Sequence, residues 1–536
     1  MCGIVYYINF KYNDIIIDNI KHSINKLSLR GPDNSKFEVL NNNNIMGFTR
    51  LAINDLSSNG DQPIIKNDRY YLICNGEIYN YKKLIKENDF ICNSSSDCEV
   101  IINLYEKYGI NNLKDMINSM DGVFSFALYD KVLNKSIIAR DPYGVRPLFI
   151  GYTKNNEILF SSEVKAISDF SKFIVPFIPG SYIILNHNIN DDIDYITYHN
   201  YDFLYITDDY NTIKENIKSL LMQSVKKRLM SDRPIGCLLS GGLDSSLVSG
   251  LVAQHFEPYT LNTFSIGMKG STDLYYAKLA ADHIKTKHHS IELTNQEFLD
   301  AIEETIYITE TYDITTVRAS VGNYLIGKYI KKNTDCTVIY NGDGSEEIFG
   351  SYKWFSLIDN EDDFYKENYK LLTEIYYFDV LRSDRSISDN GLEPRVPFLD
   401  KTLVDYVMRI PPKYKMFGGD VMEKNVIREA FDDMNILPKE VLWRKKEAFS
   451  DGVSSVEKSW FEIIQDDLDV KISDEEFDTK KNLYKHNPPI SKEALYYREI
   501  FEKYYPNKSN IIPHFWMPNK KWCNVNDPSA RVINTN

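Results

Sequence analysis

Hydrophobic and polar positions change their period along the chain. Up to about residue 185, short apolar runs of β character recur: CGIVYYI at 2–8, then IMGFTRLAI, YYLICNGEI, VFSFALYD, SIIAR and SYIIL. Turn clusters such as RGPDNS and SSNGDQP separate them, with a helical pattern near CEVIINLYEKYG and a loop-like NNNN at 41–44. This pattern predicts an α+β region rich in antiparallel strand. From about 187 to 211 the chain is polar and acidic (HNINDDIDY, then ITDDYNT) and predicts a linker. Ile213, Ile217, Leu220, Leu221, Val225 and Leu229 then follow at helical spacing.

After that helix the period alternates. IGCLLS, LNTFSIGM, HHSIEL and CTVIYNG read as strands, and SSLVSGLVAQH, DLYYAKLAADHI, QEFLDAIEETIYI and VGNYLIGKYIKK as helices. Strand–helix alternation predicts a doubly wound parallel sheet. Beyond about 350 helical patterns dominate, and the tail RVINTN is expected to be disordered. No internal repeat is visible. The expected division is a domain at 2–186, a linker at 187–211 and a domain at 212–536.

A chain of 536 residues predicts two or three domains, and 43% hydrophobic with 26% charged residues is a globular composition. The formal charge of −14, without a basic run, argues against nucleic acid or an anionic membrane as partner. No apolar run approaches a membrane span. Lys11, Asp14 and Asp18 interrupt the start too early for a signal peptide. Seven scattered cysteines form neither a disulfide framework nor a zinc pattern, so a reducing, cytoplasmic setting is expected.

Two places carry candidate chemistry. Cys2 stands directly behind the initiator methionine. It is either a small buried strand residue or, once Met1 is removed, a thiol with its own α-amine. Such an amine has an ordinary pKa of about 7.7–8.0, so it can serve as the thiol's base. The second place is Ser240-Gly241-Gly242-Leu243-Asp244-Ser245-Ser246, between an apolar strand and an apolar helix. Its glycines allow a tight turn, and its N–H groups at a helix start favour phosphate. No GK[ST] follows, so it is not a Walker A loop. It resembles the pyrophosphate loop of ATP pyrophosphatases, and Asp244 offers an oxygen to Mg²⁺.

Cys-Gly-Ile at the start and SGGLDSS downstream, together in one chain, resemble the glutamine-dependent asparagine synthetases, most closely the eukaryotic type. LSLRGPD, CNGEIYNY, SSSDCEV, ARDPYGVRPLF, FSSEVKAI, TYDITTVRAS, GLEPRVPFLD, WRKKEAFSDGV and NDPSAR extend the resemblance over almost the whole chain. It implies an α/β multidomain fold: an N-terminal-nucleophile αββα glutaminase domain, then a doubly wound parallel-sheet synthetase domain of the ATP pyrophosphatase type.

For the first domain the resemblance implies Cys2 as nucleophile, with Asn75 and Gly76 as oxyanion donors. Without it, Asn75-Gly76 reads as a type I′ hairpin turn. Arg50 matches the residue that grips the glutamine α-carboxylate, and Glu77 and Asp97 match the acceptors of its α-ammonium. The backbone from Leu51 through Ala52 and Ile53 to Asn54 would line the pocket. Arg30 is as readily a structural ion-pair residue. Phe48 departs from the histidine the family often carries there.

For the second domain it implies ATP over Ser240–Ser246, contacted by Leu239, Ile266, Asn341 and Gly342, with Lys446 neutralising phosphate. Thr315, Thr316 and Arg318 match residues associated with aspartate, although the same residues read as a helix cap and first turn. Asp343 is a candidate catalytic residue near the adenylate, and Asp244 with Glu346 the candidate Mg²⁺ ligands. The segment Asn341–Glu347 departs from the family's Ser-Gly-Glu-Gly-Ser/Ala-Asp-Glu at three positions, Asn341, Asp343 and Glu346. Exchanged lengths at 343 and 346 suggest mutual compensation.

The implied reaction makes asparagine from aspartate, glutamine and ATP through β-aspartyl-AMP, with ammonia passed between sites and no organic prosthetic group. The implied partners are small molecules, and a homodimer is left open. Two alternatives differ in class: a synthetase that adenylates another acid, and a non-catalytic glutamine or nucleotide sensor. An intact Cys2, Arg50 and Asn75-Gly76-Glu77 weigh against the first. The altered Asn341–Glu346 segment alone favours the second.

Overall fold

The computed structural model describes residues 1–8, 14–41, 44–155, 157–187, 193–201, 204–447, 452–454, 457–525 and 527. Parts of the NNNN stretch, of the acidic linker and of the motifs WRKKEAFSDGV and NDPSAR, and the whole RVINTN tail, lie outside the described residues.

The chain forms two compact units. The first comprises Met1–Tyr201 with Met230–Arg233 and Ser388–Glu393. It holds two six-stranded sheets. One has the order β10-β8-β9-β1-β3-β2, from Phe173–Pro176, Phe149–Tyr152, Ile158–Ser161, Gly3–Ile8, Asn44–Arg50 and Asn34–Asn41. The other has the order β12-β11-β7-β6-β5-β4, from Ile196–Thr197, Ser181–Asn186, Lys135–Arg140, Gly122–Asp130, Tyr70–Ile78 and Ile64–Lys66.

Strand parity builds the layers. Ile4, Tyr6 and Ile8 of β1 pack with Tyr71 and Ile73 of β5 and with Ala127 and Tyr129 of β6 in one buried cluster between the sheets. The alternate residues Tyr70, Leu72 and Cys74 pack outward on the helices Val100–Tyr108 and Leu113–Ser119. On the other sheet Tyr7 turns outward, its hydroxyl 2.6 Å from Ser23 Oγ of the helix Asp14–Asn25. Both faces of each sheet are thus covered, which is why these strands read as nearly continuous apolar runs. The αββα expectation holds.

The first unit runs past the expected boundary at 186. Ile196 and Thr197 pair with β11, and the buried Tyr198 donates its hydroxyl to the Arg140 carbonyl at 2.7 Å. Tyr198 and a short strand inside an acidic stretch tie it down.

The second unit carries the five-stranded sheet β15-β14-β13-β16-β17, from Lys287–Leu293, Asn262–Met268, Ile235–Leu238, Val338–Tyr340 and Glu393–Arg395, of which Glu393 is counted with the first unit. Its first four strands are parallel, as the alternation predicts. The helix Tyr210–Lys227 is capped by Asp209, which accepts from Thr212 N at 3.0 Å, and buries Ile213, Ile217, Leu221 and Val225. Among the described residues no helix is long and apolar enough to cross a membrane.

Candidate active sites

In the first unit the parity of β5 sets the site. Asn75 follows Tyr71 and Ile73 on the face toward β1, where the chain enters with Cys2. Cys2 N donates to Asn75 Oδ1 at 3.2 Å, and Cys2 Sγ lies 3.8 Å from the Leu51 carbonyl. The other end of that amide, Asn75 Nδ2, is buried with no hydrogen-bond partner among the described residues. A buried unsatisfied donor costs about 1–3 kcal/mol, so its retention beside a thiol points to a ligand. Asn75-Gly76 is not a hairpin turn. It lies inside β5, paired with Ser125 and Phe124. A Cβ at Gly76 would sit 2.3 Å from the Val123 carbonyl oxygen, so the close approach of β6 requires glycine.

Burial pushes the Cys2 thiol up in the intact chain, where the α-ammonium belongs to Met1, 4.0 Å from Glu393 Oε2. Arg30 donates to the Cys2 carbonyl at 2.8 Å and pairs with Glu163 at 2.7 Å, fully buried. It braces the strand from behind, the structural role left open for it. Phe48 is a core residue packed with Ile4 and Tyr6.

Arg50 is buried and donates to the Ser57 carbonyl at 2.6 Å, to Asp61 Oδ1 at 2.8 Å and to the Asp55 carbonyl. Three of its five N–H donors are used, leaving two for a carboxylate. Asn54 Nδ2 donates to Glu77 Oε2 at 2.5 Å and to Asp97 Oδ1 at 3.4 Å, joining the two acids. Asp97 Oδ2 also accepts from Ile78 N at 2.7 Å. Burial outweighs these hydrogen bonds and lifts the Asp97 carboxyl to about 6.

The backbone between Arg50 and Asn54 is partly spent. Ala52 N donates to Asp33 at 2.8 Å, and its carbonyl accepts from Arg233 Nε at 2.9 Å. Asp33, Asp61 and Arg233 thus shape this site, although the sequence gives no sign of it beyond two aspartates in turn clusters.

In the second unit a cleft of about 280 Å³ opens at the carboxyl ends of β13 and β16. Gly241 there has φ of +76°, and a Cβ would lie 2.4 Å from Ala277 N. Only glycine makes this turn, which delivers the helix Leu243–Ala253 with its N-terminus at the cleft. Ser240 and Ser245 hydroxyls meet at 2.9 Å across the loop. Ser240, Gly242, Asp244, Ser245, Thr315, Thr316, Asn341, Gly342, Asp343, Glu346 and Lys446 all line the cleft.

Leu239, Gly241, Ser246, Ile266 and Arg318 do not line it. Leu239 and Ile266 turn to the buried side, and Leu238 lines the wall instead. Gly241 is wedged against Tyr276 and Ala277, and Ser246 is buried within its helix. Arg318 is committed elsewhere. Its Nε and Nη2 donate to Glu493 Oε1 and Oε2 at 2.7 and 2.6 Å, and its Nη1 reaches Asp527 at 2.7 Å.

The charges of the cleft are arranged in two groups. Lys424 Nζ lies 2.5 Å from Asp244 Oδ2 and 2.7 Å from Glu346 Oε1. Lys446 and Ser351 Oγ both donate to Glu346 Oε2. Burial alone would raise the Glu346 carboxyl, but the two ammonium groups overcome it and hold it at about 2. In the second group Arg382 pairs with Asp379 at 2.8 Å and with Asp343 at 3.3 Å, and its Nε is buried without a partner among the described residues. Burial raises the Asp343 carboxyl despite Arg382. Glu347, buried beside Asp379 and accepting from Tyr352 OH, is raised further. Lys424 and Arg382 are the residues the sequence reading missed. A lone lysine in a polar stretch, or an arginine in DVLRSDRS, looks like a solvated surface residue.

Comparison with known proteins matches this two-part construction. Residues 1–176 match a family described as "Glutamine amidotransferase domain", and residues 216–360 and 356–522 match one described as "Asparagine synthase". The chain is 42% identical to the "Asparagine synthetase [glutamine-hydrolyzing]" of Homo sapiens over 538 residues, covering 95% of this chain and 94% of the human one. It is 43% identical to the protein of that name in Gallus gallus, with the same coverage. The chain belongs to the glutamine-hydrolysing asparagine synthetase family.

Proposed function

We propose that this protein makes L-asparagine from L-aspartate, L-glutamine and ATP, and that two sets of its residues divide the work. The observation that carries the first set is the buried, unpartnered Asn75 Nδ2 beside Cys2. With Met1 removed, the Cys2 amine takes the thiol proton. The thiolate attacks the side-chain amide carbon of glutamine, and the oxyanion meets Asn75 Nδ2 and the Gly76 N–H. One such donor is typically worth about 3–4 kcal/mol of barrier. The amine returns its proton to the leaving nitrogen, ammonia departs, and water releases glutamate from the thioester. The two remaining N–H groups of Arg50 hold the α-carboxylate, and Glu77 with Asp97 holds the α-ammonium.

In the second unit the loop Ser240–Ser246 and Lys446 hold the triphosphate. The aspartate β-carboxylate attacks the α-phosphorus, pyrophosphate leaves, and β-aspartyl-AMP forms. Ammonia then attacks the acyl carbon, AMP leaves, and Asp343, poised by burial, takes the surplus proton. Since Arg318 is held by Glu493 and Asp527, the cation offered to the aspartate carboxylate is Arg382, with Thr315 and Thr316 alongside.

The donor set fits Mg²⁺. Asp244 Oδ2 and Glu346 Oε1 converge on one point that now carries an ammonium, and Mg²⁺ usually takes one or two carboxylates plus phosphate oxygens and water. Held there, it would neutralise phosphate charge. Seven free cysteines support a cytoplasmic setting. The substrates are small molecules, and sedimentation would test the homodimer.

The decisive experiment compares glutamine with ammonium as nitrogen source in the wild type and Cys2→Ala. The wild type is expected to use both, and the variant ammonium alone. Loss of both in the variant would overturn the division of labour.

A further inference from the structure

We propose that Lys424 is an internal cation of the cleft, which holds the Asp244 and Glu346 carboxylates together without nucleotide and makes divalent-ion binding conditional on nucleotide. The inference rests on the reading of Asp244 and Glu346 as the divalent-ion ligands.

Four observations carry it. Lys424 Nζ touches Asp244 Oδ2 and Glu346 Oε1 at 2.5 and 2.7 Å, so it occupies the point where the two ligands converge. Its side chain is 3% exposed, so the ammonium is enclosed rather than solvated. The backbone pays out unusual geometry to bring it there: Lys424 has φ of +57°, a left-handed conformation costly for a residue with a Cβ. The remaining oxygens of the pair are already held, Asp244 Oδ1 by Ser345 Oγ at 3.0 Å and Glu346 Oε2 by Ser351 and Lys446.

Charge then decides what can enter. Two carboxylates face two ammonium groups, Lys424 and Lys446, so the group is balanced as it stands. A bare divalent cation would displace Lys424 and leave uncompensated positive charge in an enclosed cleft, where Coulomb terms are large. A nucleotide triphosphate reverses this. Its oxygens give both ammonium groups new partners, and the freed carboxylates can accept the divalent ion that arrives with it. Lys424 therefore acts as a positioning residue: it keeps Asp244 of the helix Leu243–Ala253 and Glu346 of the helix Ser345–Phe349 in register until the substrate replaces it.

The test uses Mn²⁺ alone, titrated against the full chain without nucleotide and followed by the electron paramagnetic resonance of free Mn²⁺. The wild type and Lys424→Arg should bind it weakly. Lys424→Met leaves the two carboxylates facing Lys446 alone, with one negative charge uncompensated, and should bind it at least roughly tenfold more tightly. Its melting temperature should rise on adding Mn²⁺, while that of the wild type should not. Lys424→Met with Glu346→Gln should return to weak binding. Native Lys424→Met that binds Mn²⁺ no better than the wild type overturns the proposal, as does Lys424→Met that fails to fold with or without Mn²⁺. A second arm measures Mn²⁺ uptake in the presence of ATP by Asp244→Asn and Glu346→Gln. If these variants lose uptake while Lys424→Met behaves as the wild type, only the role of Lys424 falls. If they take up Mn²⁺ normally, the ligand assignment falls and the proposal with it.

Discussion

Cys2 and Asn75 are joined through the backbone of one and the amide of the other, Cys2 N to Asn75 Oδ1 at 3.2 Å. The bond fixes which way the amide points. With Oδ1 on Cys2 N, the donor Nδ2 is left buried without a partner among the described residues. Asn75→Ala should therefore lower kcat for glutamine hydrolysis by about 10²–10³ and change KM little. Ammonia-supported synthesis should be unaffected. Steady-state rates with each nitrogen source check this, and a variant that mainly raises KM would make Asn75 a binding residue instead.

If Asp97 holds the glutamine α-ammonium, the glutaminase site should be sensitive to acid. Its carboxyl is lifted from 3.8 to about 6, chiefly by burial. The folded state holds this proton more tightly than the unfolded state, so the group's contribution to stability is greatest in acid and is lost as pH rises through about 6. Binding runs the other way, because only the ionised carboxylate attracts the glutamine α-ammonium. The kcat/KM for glutamine should fall about tenfold per pH unit below 6, a break belonging to the free enzyme. The break in kcat should lie lower, since bound ammonium favours the carboxylate. Profiles in which both break at one pH would remove Asp97 from the substrate.

How far the sequence could be read depended on whether a residue's role was local. Parallel alternation after 235 and β runs before 186 are local, and the three sheets follow from them. Cys2, the Ser240–Ser246 loop, Asp343 and Glu346 sit in contiguous motifs, so the sequence alone can single them out. The side of an element a residue faces was less so. Thr315, Ala319 and Asn323 line the cleft at a spacing of four, whereas Arg318 lies about 100° round the helix from Ala319. Lys424 escaped altogether, because its partners Asp244 and Glu346 are distant in sequence.

Arg318 and Glu493 should behave as a structural pair. Both are buried, and their two parallel hydrogen bonds leave little of the guanidinium for substrate. Removing one partner strands a buried charge, so Arg318→Leu should cost about 3–5 kcal/mol in denaturant unfolding. Arg318→Leu with Glu493→Leu should recover most of that loss, with KM for aspartate close to that of the wild type. A stable double variant with KM raised tenfold or more would return Arg318 to aspartate binding.

Asp343 and Glu346 differ in length from the family pattern, and exchanged lengths suggested compensation. The structure gives them separate partners. Asp343 pairs with Arg382 at 3.3 Å, and Glu346 with Lys424 and Lys446. Among the described residues they share no ion-pair or hydrogen-bond partner, although each lines the cleft. Asp343→Glu would push its carboxylate toward Arg382 by about 1.5 Å, a displacement that can cost roughly 10²-fold in rate. Glu346→Asp would draw its carboxylate away from both ammonium groups. Because different cations answer each change, the losses in synthetase kcat with ammonium should multiply. Their coupling should stay within about 0.5 kcal/mol. The measurement is a double-mutant cycle on asparagine formation. If the double variant is faster than either single one, the two positions compensate and the separation of their partners does not govern the rate.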